Sequence, residues 1–276
     1  MELKPTCLVI ADISGYTRFV MLHTTSLLHA ETIITELMEA VIAQAEVPLA
    51  ISKLEGDAVF LYAVLEGDPA SGAKSILRQV TGLFEAFRAR ERSLIACNVC
   101  GCPACRSIGK LKLKVVVHWG EVAFKQVRTF LELAGENVIL IHRLLKNSIT
   151  SKEYLLVTRE FHSLAGGPDG WGEPELRTEK ADGIGAVSVA VYYPRAAADL
   201  PQPPPPGVPK PGTASAVLYE RMNEHAEKRL RGTEERRGFS SLPDTRLTIV
   251  NRMSYAFGRV IPVVISRVQR MFSRAR

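Results

Sequence analysis

Short β-branched runs alternate with longer amphipathic ones over the first two thirds of the chain, and their order limits the fold more than any other feature. Cys7–Ile13 predicts a strand, Ser26–Ala45 a helix, Ala50–Leu54 and Ala58–Ala63 two strands, and Ser71–Arg92 a second helix. Lys112–His118 and Glu121–Lys125 predict two more strands, Glu136–Asn147 a helix, and Tyr154–Val157 and Ala186–Tyr193 later strands. Strand, helix, two strands, helix, two strands, helix, strand is the order of an α+β sandwich, expected here with its helices on one face of the sheet. No repeat of fixed period interrupts it.

The pattern stops at LPQPPPPGVPKP, where seven prolines fall between Leu200 and Pro211. Such a stretch cannot supply ladder hydrogen bonds and favours polyproline II. It predicts a domain over 1–195, a proline-rich linker over 196–213 and a helical tail over 214–276. Residues 1–200 hold 21 Lys and Arg against 23 Asp and Glu, whereas residues 201–276 hold 14 against 6. The basicity therefore belongs to the tail, and the main domain offers no basic face for nucleic acid. From Asn251 onward six arginines and no acid accompany Met253, Phe257, Val260, Ile261, Val264, Ile265, Val268 and Phe272. That composition suits a helix lying on an anionic membrane; with Pro262 interrupting the pattern it equally suits a helix docked on the protein or on a second copy. At 46% hydrophobic the chain is no disordered polymer. No run approaches the roughly 18 apolar residues of a membrane span, and MELKPTCLVI has no signal-peptide pattern, so a cytoplasmic protein is expected.

Four segments carry candidate chemistry. In Ala11-Asp12-Ile13-Ser14-Gly15-Tyr16-Thr17 a carboxylate at a strand end meets a glycine turn whose N–H groups can form an anion nest. In Lys53-Leu54-Glu55-Gly56-Asp57-Ala58 a Gly-Asp pair sits between two apolar runs as in a hairpin turn. Turn and cap chemistry alone accounts for both segments. If the hairpin lies beside the first strand, however, Asp57 meets Asp12, and two converging carboxylates suit one or two Mg²⁺ or Mn²⁺ ions. The third and fourth segments are Val117-His118-Trp119-Gly120-Glu121-Val122 and Gly135-Glu136-Asn137-Val138-Ile139-Leu140-Ile141-His142-Arg143. His118, in a β-branched run with no other metal-type residue close by, reads as structural.

Taken in order and spacing, these four blocks resemble the catalytic domain of the class III adenylate and guanylate cyclases, whose fold is a ferredoxin-like sandwich with an antiparallel-rich mixed sheet. The resemblance implies that Asp12 and Asp57 hold two Mg²⁺ or Mn²⁺ ions, that the amides of Gly15, Tyr16 and Thr17 cradle phosphates, and that Lys53 with Glu132 reads the adenine edge of ATP. It implies Arg143 as the catalytic arginine that steadies the transition-state phosphate. It also implies a homodimer with two symmetric sites, the aspartates coming from one copy and Lys and Arg from the other. The chain departs from the pattern at Ile139, where the family places a ribose-orienting asparagine. Low or altered cyclase activity is one expectation from this, and a noncatalytic sensor or scaffold with a vestigial pocket is the other. His142, one turn beyond Ile139, is either a substitute donor or an ordinary core or surface histidine.

Of five cysteines, four fall together as Cys97, Cys100, Cys102 and Cys105. Four thiolates can hold one Zn²⁺, although a single glycine between the two pairs strains the loop; free thiols or a local disulfide are the other readings. An uncharacterised bacterial family related to the cyclases resembles the chain more nearly still. It too has a cysteine-rich insertion before the His-x-Gly strand and a Val-Ile-Leu-x-His-Arg-Leu-Leu-Lys-Asn helix, matched here by residues 138–147.

Overall fold

The computed structural model describes residues 2–17, 19, 27–65, 67–97, 103–194, 216–218, 220 and 222. In chain order the elements are β1 (Glu2–Ser14), α1 (Leu27–Ala43), β2 (Ala50–Glu55), β3 (Ala58–Val64), α2 (Pro69–Cys97), α3 (Pro103–Arg106), a 3-10 turn at Ile108–Lys110 and β4 (Lys112–Val127). There follow β5 (Phe130–Ala134), α4 (Glu136–Leu144), β6 (Tyr154–Thr158), α5 (Arg159–Ala165), β7 (Glu175–Ala181) and β8 (Gly185–Tyr192). The strands form one mixed sheet in the order β2-β3-β1-β4-β6-β8-β7, with β5 paired to β4 beside that path. Only the β4–β6 pairing is parallel among the described strands. The architecture is the α+β sandwich that the segment order predicts.

β1 holds the centre of the sheet because Cys7, Leu8, Val9, Ile10 and Ala11 are apolar at every position, and all five are fully buried. A strand with one wet face would alternate; this one does not. On one face Leu8, Ile10, Phe60, Val116 and Leu156 pack with Ile141 and Leu144 of α4. Residues of the other parity, among them Val9, Leu61, Val115, Val117 and Leu155, are buried as completely. The expectation of cover on one face is thereby corrected, the unbroken apolar runs of β1 and β4 being the reason. Ile141 and Leu144 lie three positions apart on α4 and so share its inner face, each contributing roughly 1.5–3 kcal/mol by burial. Glu136 in the first turn of α4 and His142 and Arg143 in its last complement the helix dipole.

A second correction concerns β4, expected as two strands broken near His118-Trp119-Gly120. It runs through without interruption, Trp119, Gly120 and Glu121 remaining in register with Cys7, Thr6 and Pro5 of β1. Gly120 has a packing role instead of a turn role: a Cβ there would come within 2.5 Å of the Asn137 side chain.

The chain packs as two compact units, one of residues 1–14, 38–87 and 112–200, the other of residues 15–37, 88–111 and 201–276. In the second, Ile33, Leu37, Leu94, Ile108 and Leu111 are buried. There Arg90 Nη1 meets the nearly buried Glu36 carboxylate at 3.1 Å. Of the expected linker and tail, only 216–218, 220 and 222 are described; they are helical, with Ala216, Leu218 and Met222 buried. The basic segment from Asn251 lies outside the described residues.

Candidate functional site

The site grows from the C-terminal end of β1. Asp12 sits between Ala58 of β3 and Lys114 of β4, its register partners on either side. Gly56 has φ +67° at the first position of the two-residue β2–β3 loop, where a tight hairpin accepts a left-handed residue. The next residue is Asp57, whose carbonyl accepts a hydrogen bond from Ile13 N–H at 3.1 Å. The hairpin is therefore fastened to β1 one residue from Asp12, and the backbones of Asp12 and Asp57 lie near each other at one strand end. Lys114 Nζ lies 3.5 Å from Asp12 Oδ2, with both side chains largely covered. Burial pushes the Asp12 carboxyl above the usual carboxylate range, and the charge and hydrogen bond of Lys114 pull it back. The partly desolvated Asp12 carboxylate is an oxygen ligand of the kind that a hard divalent cation takes, and Asp57 is a further carboxylate in the hairpin turn. Among the described residues no group of three or more His, Cys, Asp or Glu is arranged for a metal ion.

The other expected residues of this unit lie on β2, β5 and α4. Lys53 Nζ pairs with Glu55 Oε1 at 3.1 Å and stands 5.9 Å from the Phe60 ring centroid. His142 Nδ1 approaches Glu55 Oε2 at 3.4 Å, its ring tilted against Phe60 with centroids 5.0 Å apart. Burial lowers the His142 pKa, Glu55 opposes that shift, and Lys53 adds to it. Glu132 lies on β5 opposite Lys125. Arg143 Nη1 faces Asp182 Oδ2 at 3.6 Å, with the arginine side chain 46% and the aspartate 92% exposed, so the pair is a weak tether. Ile139 is 54% exposed. Lys53 and Arg143 thus pair with Glu55 and Asp182, apart from the two aspartates. Leu54, Phe130, Leu131 and Ile139 add an exposed apolar surface on these same elements.

Gly15, Tyr16 and Thr17 belong to the second unit. Gly15 has φ +94°, its carbonyl accepts from Phe19 N–H at 2.9 Å, and the Tyr16 hydroxyl donates to Glu31 Oε1 at 3.2 Å. Cys97 closes α2 and Cys105 lies in α3, both buried, and burial raises the Cys97 thiol. Cys100 and Cys102 lie outside the described residues.

His118 is the structural residue the sequence suggests. Its Nδ1 lies 2.8 Å from Thr158 Oγ1 and its Nε2 2.8 Å from Asn137 Oδ1. Asn137 Nδ2 donates to the Glu121 carbonyl at 2.9 Å, which fixes the amide so that its oxygen faces the ring. The neutral imidazole protonated on Nε2 satisfies every partner, and burial lowers its pKa accordingly. A cavity of about 560 Å³ lies beyond this network, against Pro5, Trp119, Glu121 and Arg159. It is roughly 20 Å along β1 from Asp12, at about 3.3 Å per residue, and has no part in the aspartate site.

Sequence reasoning missed Lys114 and Glu55. Each acquires its role through a cross-strand or interelement partner, and no local motif marks it.

A family described as a protein of unknown function, DUF2652, matches residues 34–154. The uncharacterized protein Rv2561/Rv2562 of Mycobacterium tuberculosis is 38% identical over 125 residues, 45% of this chain and 56% of that protein, so the match spans just over half of the relative. Among solved structures, the adenylyl cyclase CyaB from P. aeruginosa superposes with a TM-score of 0.51 at 16% identity, covering 71% of this chain and 96% of that one. An adenylate/guanylate cyclase/hydrolase from Silicibacter pomeroyi gives 0.50 at 19% identity, covering 71% and 100%. Strand order, the hairpin fastened beside Asp12 and these superpositions lead to one conclusion: the fold is that of the class III adenylyl and guanylyl cyclase domains.

Proposed function

We propose that this domain binds a divalent-metal complex of ATP at sites formed between two copies of the chain, and turns it over slowly by cyclisation. The observation that supports the reading is the bond from Ile13 N–H to the Asp57 carbonyl, which fastens the Asp57 turn to β1 at the residue next to Asp12 in the chain. Asp12 and Asp57 would hold Mg²⁺ or Mn²⁺, which on binding supplies charge neutralisation at the phosphates and acidifies the attacking hydroxyl. Lys53 donates to a ring nitrogen of adenine and Glu132 accepts from its amino group. The amides of Gly15, Tyr16 and Thr17 receive phosphate oxygens. Arg143 meets the charge that develops as the ribose 3′-oxygen attacks the α-phosphorus and pyrophosphate departs. The looseness of the Arg143–Asp182 pair supports this role, since the guanidinium can leave it at little cost. The exposed Leu54, Phe130, Leu131 and Ile139 support a second copy as the partner that completes each site.

Ile139 cannot orient the ribose by hydrogen bonding. Loss of one such group lowers turnover by about 10²–10³-fold while binding survives. The same exposed isoleucine favours a second reading, in which nucleotide binds and is not cyclised, as in a sensor. Purified protein incubated with Mn²⁺ and each nucleoside triphosphate separates the two. Cyclic AMP formed slowly supports the enzyme; saturable Mn²⁺–ATP binding without cyclic product supports the sensor; no binding of any triphosphate rejects both.

A further inference from the structure

Beside the candidate metal site stands a cation that the cyclase reading does not use. β1 and β4 are antiparallel with Asp12 opposite Lys114, so the two side chains emerge on the same face of the sheet. Next along that face stand the buried Ile10 and Val116. Lys114 Nζ lies 3.5 Å from Asp12 Oδ2, its side chain 20% exposed and that of Asp12 17%. On the other flank of β4, Lys114 is in register with Tyr154 of β6, whose hydroxyl oxygen already accepts from Asn147 Nδ2 at 2.7 Å. The ammonium therefore stands against one of the two carboxylate oxygens open to a divalent cation.

Two cations cannot share Asp12 on equal terms, because in a partly desolvated site their repulsion is screened far less than in water. A metal arriving alone displaces Lys114 without supplying it another anion. A metal arriving with a triphosphate brings several anionic oxygens, and a lysine on a flexible four-carbon stem is a compact point charge suited to them. We propose that Lys114 is a triphosphate-binding residue that stands in for the metal at Asp12 before loading and passes to the phosphate chain on loading. The consequence is selectivity: bare metal is disfavoured and the metal–triphosphate complex is favoured. This inference rests on the metal–nucleotide reading of Asp12 and Asp57 given above.

The test compares wild type with Lys114→Met, Lys114→Gln and Lys114→Arg, each checked for a native circular dichroism spectrum. Free Mn²⁺ is titrated by electron paramagnetic resonance, and Mn²⁺ with α,β-methylene-ATP or inorganic tripolyphosphate by calorimetry. In Lys114→Met and Lys114→Gln, affinity for Mn²⁺ alone should rise about threefold to tenfold, while affinity for both Mn²⁺–triphosphates should fall by about tenfold or more. Lys114→Arg should stay within about threefold of wild type in every titration. Tighter Mn²⁺ binding with unchanged triphosphate binding makes Lys114 a competitor only and overturns the proposal. A parallel loss of both affinities, or no change in either, also overturns it. If wild type binds Mn²⁺ but neither triphosphate, the metal–nucleotide reading itself fails, a result distinct from wild type and Lys114→Met binding triphosphate alike.

Discussion

Asp12, proposed as a metal-binding residue, opposes the stability of the fold through its charge. Burial raises its folded-state pKa, so the native state holds a proton more firmly than the unfolded chain does. Stability from this group is present at acid pH and is lost as pH rises from the ordinary carboxylate range through the raised value. Asp12→Asn removes the charge and keeps the shape. In urea denaturation followed at pH 4 and pH 7.5, the variant should gain on wild type as pH rises. The gain at pH 7.5 should exceed the ~0.5 kcal/mol typical of surface changes, while Mn²⁺ binding disappears. A variant less stable than wild type at pH 7.5 would show that Asp12 serves the fold through its charge.

Between elements, the joint of β4 and α4 depends on one missing Cβ. Asn137 reaches across Gly120 to His118 and to the Glu121 carbonyl, tying the start of α4 to the strand. Gly120→Ala places a methyl group 2.5 Å from that amide, so Asn137 must leave and both bonds are lost. About 2–3 kcal/mol of destabilisation should follow, read as a shifted urea midpoint. Adding Asn137→Ala to Gly120→Ala should cost less than the sum of the two single changes, because both break the same contacts. Much of the fold was legible in the sequence, since β1, β3 and β6 are dense in apolar residues and α2 and α4 are amphipathic. β5 escaped notice because FLELA is too short to show a period, and β7 because ELRTEKA carries four charges in seven residues. The aspartates were legible as a motif, and the fastening of the Asp57 turn next to Asp12 depended on where the hairpin lay. The Lys53–Glu55–His142 chain was not legible at all, because it joins β2 to a helix some eighty residues later in sequence. The cysteine loop between α2 and α3 is proposed as a zinc site. Protein purified without chelator should carry about one zinc per chain, and four freely reactive thiols in metal-free protein would reject this.

For the whole molecule, sites shared between copies predict complementation. An Asp12→Asn, Asp57→Asn variant and a Lys53→Ala, Arg143→Ala variant should each lose Mn²⁺–ATP binding alone. Mixed in equal amounts under exchanging conditions, they should regain roughly a quarter of the wild-type sites, because half the dimers are mixed and each has one intact site. No recovery would place all four residues in a site within one chain. The basic tail is proposed to add contact with anionic bilayers. In liposome sedimentation the full chain should bind anionic vesicles with an affinity that falls as salt rises, and a truncation after Ser215 should not. Equal binding by both would assign the tail to another contact. The margins of the sheet restrict how copies can gather at all. β2 shifts register between Ile51 and Lys53, and β7 at the opposite margin presents Glu175, Arg177 and Lys180. A kinked border and a charged one both turn away an incoming strand. Ribbon-like growth of concentrated protein, strand edge upon strand edge, is thereby disfavoured.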